Sequence, residues 1–166
     1  MVYIFDVIFS FILLTALYMK AIDYQDSRYE VFSYGFISYK YTGGLLILVL
    51  IVEAVLAMCF IFGKYVIQAS LFTALLFIFF VFAQLYKKHN KANNKCSCFG
   101  KVAWLNKMPI TRNLILICFL MLRVPMAERS VDIRSSLIEL LLIIVIIMLL
   151  DFVQTFVNSS ERNLIL

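Results

Sequence analysis

The amino-acid sequence predicts an all-α integral membrane helix bundle. Of its 166 residues, 64% are apolar, and the mean hydropathy is +0.97. Soluble domains are roughly half apolar, and a chain of this length cannot hide the excess in one core. The excess must therefore face lipid. Only five Gly and two Pro occur, so we expect residues 1–166 to form a single multipass membrane domain without long linkers.

Five apolar segments are predicted to be transmembrane helices, because a span needs roughly 20 mostly apolar residues. They cover residues of about 2–19, 43–62, 65–86, 110–126 and 137–157. The fourth is the weakest, since its apolar run from 114 to 122 covers only about half a bilayer. It would have to tilt, borrow residues 109–110 or lie partly at the interface. The first segment lacks a basic leader and a small-residue cleavage site, so we expect a retained helix.

The loops between these segments carry most of the polar residues. Residues 20–42 form a tyrosine-rich loop, and residues 87–112 form a loop with seven Lys or Arg and no acid. Tyrosine suits the lipid headgroup zone, so the first loop is predicted to carry a short interfacial helix. The tyrosines concerned are Tyr24, Tyr29, Tyr34, Tyr39 and Tyr41.

The distribution of Lys and Arg predicts an orientation. With five spans, the first loop, the third loop and the tail share one side and hold eleven basic residues, against four on the other side. The positive-inside rule then places the third loop in the cytoplasm and the N-terminus outside. The net charge of +5 is accounted for by these membrane-flanking positions. It predicts no nucleic-acid binding.

Two cysteines in the third loop, Cys96 and Cys98, are the strongest candidates for chemistry. Thiol–disulfide exchange needs two accessible sulfurs close together, and a small strained ring is labile. The loop also carries Lys87, Lys88, Lys91, Lys95 and Lys101, and nearby cations favour the thiolate. Two other interpretations stay open: a structural bridge, and metal binding with His89 as a third ligand. Metal binding is only weakly supported, because one Cys-x-Cys pair with one His lacks the paired spacings of zinc sites, and we predict no metal centre.

Glu53 lies within the second predicted span. An intramembrane carboxylate is costly and normally faces the bundle interior with a partner. It could relay protons to the thiols, brace a cation or fix helix packing. Lys20 and Arg112 are the candidate partners by depth.

The remaining intramembrane polar residues and cysteines have simpler interpretations. Cys59 and Cys118 are expected to pack in the core, because Cys behaves as a small buried hydrophobe. If they face each other, they would form a second redox pair. Asp6 and Asp151 lie nearer the segment ends and are expected to reach the interface. The sequence contains no Gly-rich phosphate loop, nucleophile elbow or metalloprotease helix.

Taken together, several residues resemble a known family. Their order is Lys20, Glu53, the motif Cys96-Ser97-Cys98-Phe99-Gly100, and the pair Arg112-Asn113. This order resembles the methylamine utilisation protein MauE family, a branch of the DoxX-like membrane proteins, over roughly residues 8–125. The family usually has Gly where Ser97 stands and often an acid where Lys95 stands.

The resemblance implies a fold and a function. The fold would be a DoxX-like four-helix core plus a fifth C-terminal transmembrane helix. The function would be thiol–disulfide redox or electron relay in the cell membrane with a thioredoxin-like partner, which would make the protein a thiol–disulfide oxidoreductase. Cys96 and Cys98 would be the catalytic pair, supported by Lys20, Glu53, Phe99, Gly100, Arg112 and Asn113, with Arg112-Asn113 capping the fourth helix and holding the Cys loop.

Two further expectations qualify this function. A quinone would complete such a relay, although no set of residues in the sequence specifies a quinone site. Disulfide formation favours the non-cytoplasmic side of the membrane, which is opposite to the side that the positive-inside rule predicts for the third loop. The alternatives are an accessory or immunity-type membrane subunit with a structural Cys pair, and a metal or small-molecule transport module. Substrate, partner identity and oligomeric state are not specified by the sequence.

Overall fold

The computed structural model describes residues 2–35, 37–89, 109–125 and 133–163. Over these ranges the chain forms six α-helices and no strand, which confirms the predicted all-α class. The helices are α1 (Val2–Ile22), α2 (Tyr24–Ser33), α3 (Tyr39–Phe62), α4 (Val66–His89), α5 (Pro109–Arg123) and α6 (Ile133–Asn163). They belong to two compact units, α1–α5 and α6. The motif Cys96-Ser97-Cys98-Phe99-Gly100 lies outside the described residues.

Four helices, α1, α3, α4 and α6, are long and apolar enough to cross a bilayer. Helix α5 has 15 residues, so it is about 22 Å long, which is less than the roughly 30 Å of a hydrocarbon core. It begins at Pro109, a residue suited to the first helical position because that position needs no N–H donor. That residues 110–126 cross the whole bilayer therefore stays a prediction.

The predicted helix in the tyrosine-rich loop is present as α2, which packs against the start of α3. The Arg28 guanidinium lies 4.2 Å from the Tyr39 ring centroid, and Arg28 Nε donates to Thr42 Oγ1 at 3.3 Å. A Cβ at Gly43 would come within 3.0 Å of the Tyr24 hydroxyl. The absence of a side chain at Gly43 therefore lets α2 lie close to α3.

A tight turn joins α3 to α4. Gly63 ends α3 in the left-handed region with φ of 61°, and its N–H donates to the Phe60 carbonyl. Glycine adopts this conformation without the steric cost of a Cβ. The next helix begins at Val66, so α3 and α4 run antiparallel.

The core of the first unit lies where α1, α3, α4 and α5 meet. Phe9 and Phe60 pack with ring centroids 5.7 Å apart, and Leu120 of α5 is fully buried in the same cluster. Ala57 and Ala69 are also buried there, and small residues allow helices in a membrane to approach closely. Because Leu120 near the end of α5 shares a cluster with Val66 at the start of α4, these two helices are antiparallel.

Candidate functional site

The structure pairs Glu53 with Lys20, one of the two partners considered from the sequence. Lys20 lies in the last turn of α1, and its Nζ donates to Glu53 Oε1. The two side chains are 9% and 1% exposed. The other candidate, Arg112, instead directs its Nε and Nη2 to Asn113 Oδ1, each at 3.4 Å. The buried carboxylate thus links the end of α1 to the middle of α3.

The pair leaves hydrogen-bonding capacity unused. Among the described residues, Glu53 Oε2 has no hydrogen-bond partner. The Lys20 ammonium has three N–H donors; one is directed to Glu53, and the ammonium lies 5.3 Å from the centroid of the Phe80 ring. Such a ring attracts the cation but does not use all of its donors. Lys20 therefore keeps donor capacity for a further acceptor.

A cavity of about 470 Å³ adjoins Lys20. It lies between the end of α1, helix α2, the first half of α3 and the second half of α4. Its walls are mainly apolar and include Leu46, Phe79, Phe80 and Phe82, with Ser27 among its few polar residues. The antiparallel packing of α3 and α4 puts these residues at the same end of the bundle as the last turn of α4.

The polar side of this cavity is formed by α2 and by Tyr34, the residue that follows it. The Tyr34 hydroxyl donates to Glu30 Oε1 at 3.1 Å, and the Lys87 ammonium lies 5.6 Å from the Tyr34 ring centroid. Ser27 is 4% exposed, and its hydroxyl has no hydrogen-bond partner among the described residues. The cavity thus combines an apolar interior with two polar groups, on Lys20 and Ser27, that can still bond a ligand.

A second buried ion pair was missed by the sequence analysis. Arg123 Nε donates to Asp6 Oδ1 at 2.7 Å, and its Nη2 donates to Oδ2 at 3.2 Å. The side chains are 0% and 2% exposed, so the expectation that Asp6 reaches the interface is wrong. The available signal was topological: Asp6 near the start of α1 and Arg123 at the end of α5 fall at the same membrane end and have opposite charges.

Two further expectations are corrected. Cys59 is partly buried against the core, but Cys118 is exposed, because it lies on a face of α5 that the first unit does not cover. Both are free thiols, so they form no second disulfide. Arg112 and Asn113 do not cap α5, since the helix begins at Pro109. They lie one turn inside it, where Asn113 is 3% exposed.

The expected catalytic pair and the residues that follow it cannot be placed, since Cys96, Cys98, Phe99 and Gly100 lie outside the described residues. Their segment joins the end of α4 to the start of α5. Over the described ranges, no group of three His, Cys, Asp or Glu side chains could hold a metal ion.

The family model of the methylamine utilisation protein MauE matches residues 1–125. This range includes α1–α5, the Lys20–Glu53 and Asp6–Arg123 pairs, and the cysteine motif. Comparison with curated proteins found no match, and neither did comparison with solved structures. Since the match covers three quarters of the chain, and four helices can cross a bilayer, the chain is a multipass membrane protein that belongs to the MauE family.

Proposed function

We propose that the protein is a thiol–disulfide redox protein of the cell membrane that works with a thioredoxin-fold partner. The observation that carries this proposal is the position of Cys96-Ser97-Cys98 in the chain. The motif occurs in the segment between α4 and α5, two helices that pack antiparallel, and this segment is rich in Lys. Neighbouring cations favour the thiolate that attacks a disulfide.

The proposed reaction is an exchange between two dithiol–disulfide pairs. A thiolate at Cys96 attacks a disulfide of the partner and forms a mixed disulfide, releasing one partner thiol. Cys98 then attacks Cys96 and releases the second partner thiol. Cys96 and Cys98 are thereby oxidised to a disulfide while the partner gains two electrons and two protons, and the reverse sequence oxidises the partner.

The buried residues of the bundle would serve this exchange from a distance. The Lys20–Glu53 pair ties α1 to α3, and the burial of Asn113 fixes the first turns of α5. We propose that Asn113 holds the start of α5, from which the cysteine segment extends, and that the Lys20–Glu53 pair keeps α1 and α3 in place in the same bundle. They are positioning residues in this scheme, whereas Cys96 and Cys98 react.

The exchange is tested by trapping. With Cys98→Ser, the mixed disulfide through Cys96 cannot resolve, so a covalent adduct with a thioredoxin-fold protein should accumulate at least tenfold over wild type. Non-reducing electrophoresis and mass spectrometry of the adduct measure this. Cys118→Ser is the matched control, because it removes an exposed cysteine from α5 and leaves the motif intact. It should give no adduct.

The opposite result would end the proposal. If Cys98→Ser captures no thioredoxin-fold protein, and the Cys96→Ser/Cys98→Ser variant keeps full activity in cells, the cysteines do not exchange electrons. A drop in thermal stability of the same double variant would then identify the pair as a structural bridge.

A further inference from the structure

We propose that the cavity beside Lys20 binds a neutral, lipid-soluble ring compound through a carbonyl oxygen, that is, a ligand of the quinone class. Its volume of about 470 Å³ lies in the range of about 300–1,000 Å³ that is usual for small-molecule sites. Such sites are mainly apolar and have a few convergent polar groups that fix orientation. The cavity has this composition.

The polar groups identify the ligand's head as a hydrogen-bond acceptor. Ser27 is 4% exposed and its hydroxyl has no partner among the described residues. Lys20 donates one N–H to Glu53 and can donate to a further acceptor. A buried polar group without a partner destabilises the folded state. A carbonyl oxygen that accepts from Ser27 and Lys20 would remove this cost.

The charges favour a neutral head over an anionic one. The Lys20 ammonium is already compensated by the Glu53 carboxylate. Glu30 also lines the cavity, so a carboxylate head would meet a second acidic side chain there. A quinone carbonyl accepts hydrogen bonds without carrying a charge.

The walls favour a planar ring. Phe79 and Phe80 line the cavity together with Tyr34, and aromatic groups pack in offset or edge-to-face arrangements. Phe79 and Phe82 are also 46% and 60% exposed on the apolar surface of α4. A lipid-soluble ligand could therefore enter from the bilayer without crossing an aqueous loop.

Binding at this site does not depend on the cysteines. A coupling between the two would rest on the proposed function: oxidation of the Cys96 and Cys98 thiols to a disulfide would release two electrons and two protons, which would convert the quinone to its hydroquinone. The two proposals can fail separately, because binding can be measured in a protein that lacks both thiols.

Binding is tested by titration of the purified full-length protein with decylubiquinone in lipid nanodiscs. The Cys96→Ser/Cys98→Ser variant should bind as wild type does. Ser27→Ala should weaken binding about threefold to tenfold, since it removes one hydrogen bond. Leu46→Trp should weaken it more than tenfold by filling the cavity. Leu48→Trp is the matched control, since Leu48 lies on the same helix but is 58% exposed; it should leave binding unchanged.

Three results would overturn the proposal. One is the absence of saturable binding to wild type. Another is binding that neither Ser27→Ala nor Leu46→Trp changes, because the ligand would then lie elsewhere on the apolar surface. The third is saturable binding of laurate at this site with no binding of decylubiquinone, which would make the occupant an anionic acyl chain. Ser27→Ala keeps the test valid even if Leu46→Trp does not fold.

Discussion

Helix α1 carries a buried ion pair near each end, and the two pairs differ in how many of their carboxylate oxygens accept a hydrogen bond. Near its start, Arg123 contacts both carboxylate oxygens of Asp6. Near its end, Lys20 contacts a single oxygen of Glu53, and the other has no hydrogen-bond partner among the described residues. The side chains of the first pair, which we call the sealed pair, are 0% and 2% exposed. The second pair, which we call the open pair, adjoins a cavity.

The residue types account for this difference. Arginine presents a planar fork that matches a carboxylate with two parallel hydrogen bonds, whereas the lysine ammonium is a point charge with rotatable donors. A sealed arginine–carboxylate pair has one geometry and suits the joining of α1 to α5. A lysine pair beside a cavity can exchange partners, which suits a site that binds a ligand or moves a proton. Two buried charge pairs on one helix thus have different expected roles.

The largest expected effect is at the sealed pair. Asp6→Asn leaves the Arg123 guanidinium buried without a counter-charge, which should lower the free energy of unfolding by about 3–5 kcal/mol. Equilibrium unfolding in mixed detergent micelles measures this. In the double variant Asp6→Leu/Arg123→Met no charge stays buried, so most of the loss should be recovered. Equal losses in the single and double variants would show that packing, and not charge, holds α5 to α1.

An intermediate effect is expected at the open pair. Glu53→Gln is the same carboxylate-to-amide change, and it should lower the free energy of unfolding by about 1–3 kcal/mol. The loss should be smaller than for Asp6→Asn because the cavity gives the Lys20 ammonium access to other acceptors. Glu53→Gln should also weaken decylubiquinone binding, because the Glu53 carboxylate holds the Lys20 ammonium in place beside the cavity, whereas Asp6→Asn in the folded protein should not. If Glu53→Gln destabilises as much as Asp6→Asn and binding is unchanged, the two pairs are equivalent and the comparison fails.

The two ion pairs also differ in how well they could be predicted from the sequence. Glu53 lies in the middle of a long apolar run, so its cost in lipid required a partner, and depth restricted the choice to Lys20 or Arg112. Asp6 and Arg123 lie near segment ends, where a charged side chain can reach the membrane interface. A charge at such a position therefore does not require a partner inside the bundle. Only the packing of α5 against α1 removes that explanation. Packing between helices that are distant in the chain produces no periodic pattern in the sequence.

Similar reasoning applies to the fold. The long apolar runs predicted α1, α3, α4 and α6, because hydropathy and length determine a span directly. The helices extend beyond those runs, as α3 does from Tyr39, since polar residues continue a helix outside the lipid. The exposure of Cys118 was missed because the exposed face of α5 depends on its neighbours. The cavity arises where α2 covers α3 and α4, and no single segment encodes it.

The smallest expected effect concerns the ring beside the open pair. Phe80→Leu removes the aromatic face that lies 5.3 Å from the Lys20 ammonium, which should lower the free energy of unfolding by about 0.5–2 kcal/mol. Phe79→Leu is the matched control, because Phe79 also lines the cavity but Phe80 is the ring placed over Lys20. Phe79 is 46% exposed whereas Phe80 packs against the core, so the ring–ammonium contact is the part of the Phe80→Leu loss that disappears in a Lys20→Met background, where no cation is present. The Phe79→Leu loss should be the same in both backgrounds. If the Phe80→Leu loss is also unchanged in the Lys20→Met background, Phe80 acts through apolar packing alone, and Lys20 is held in place only by Glu53.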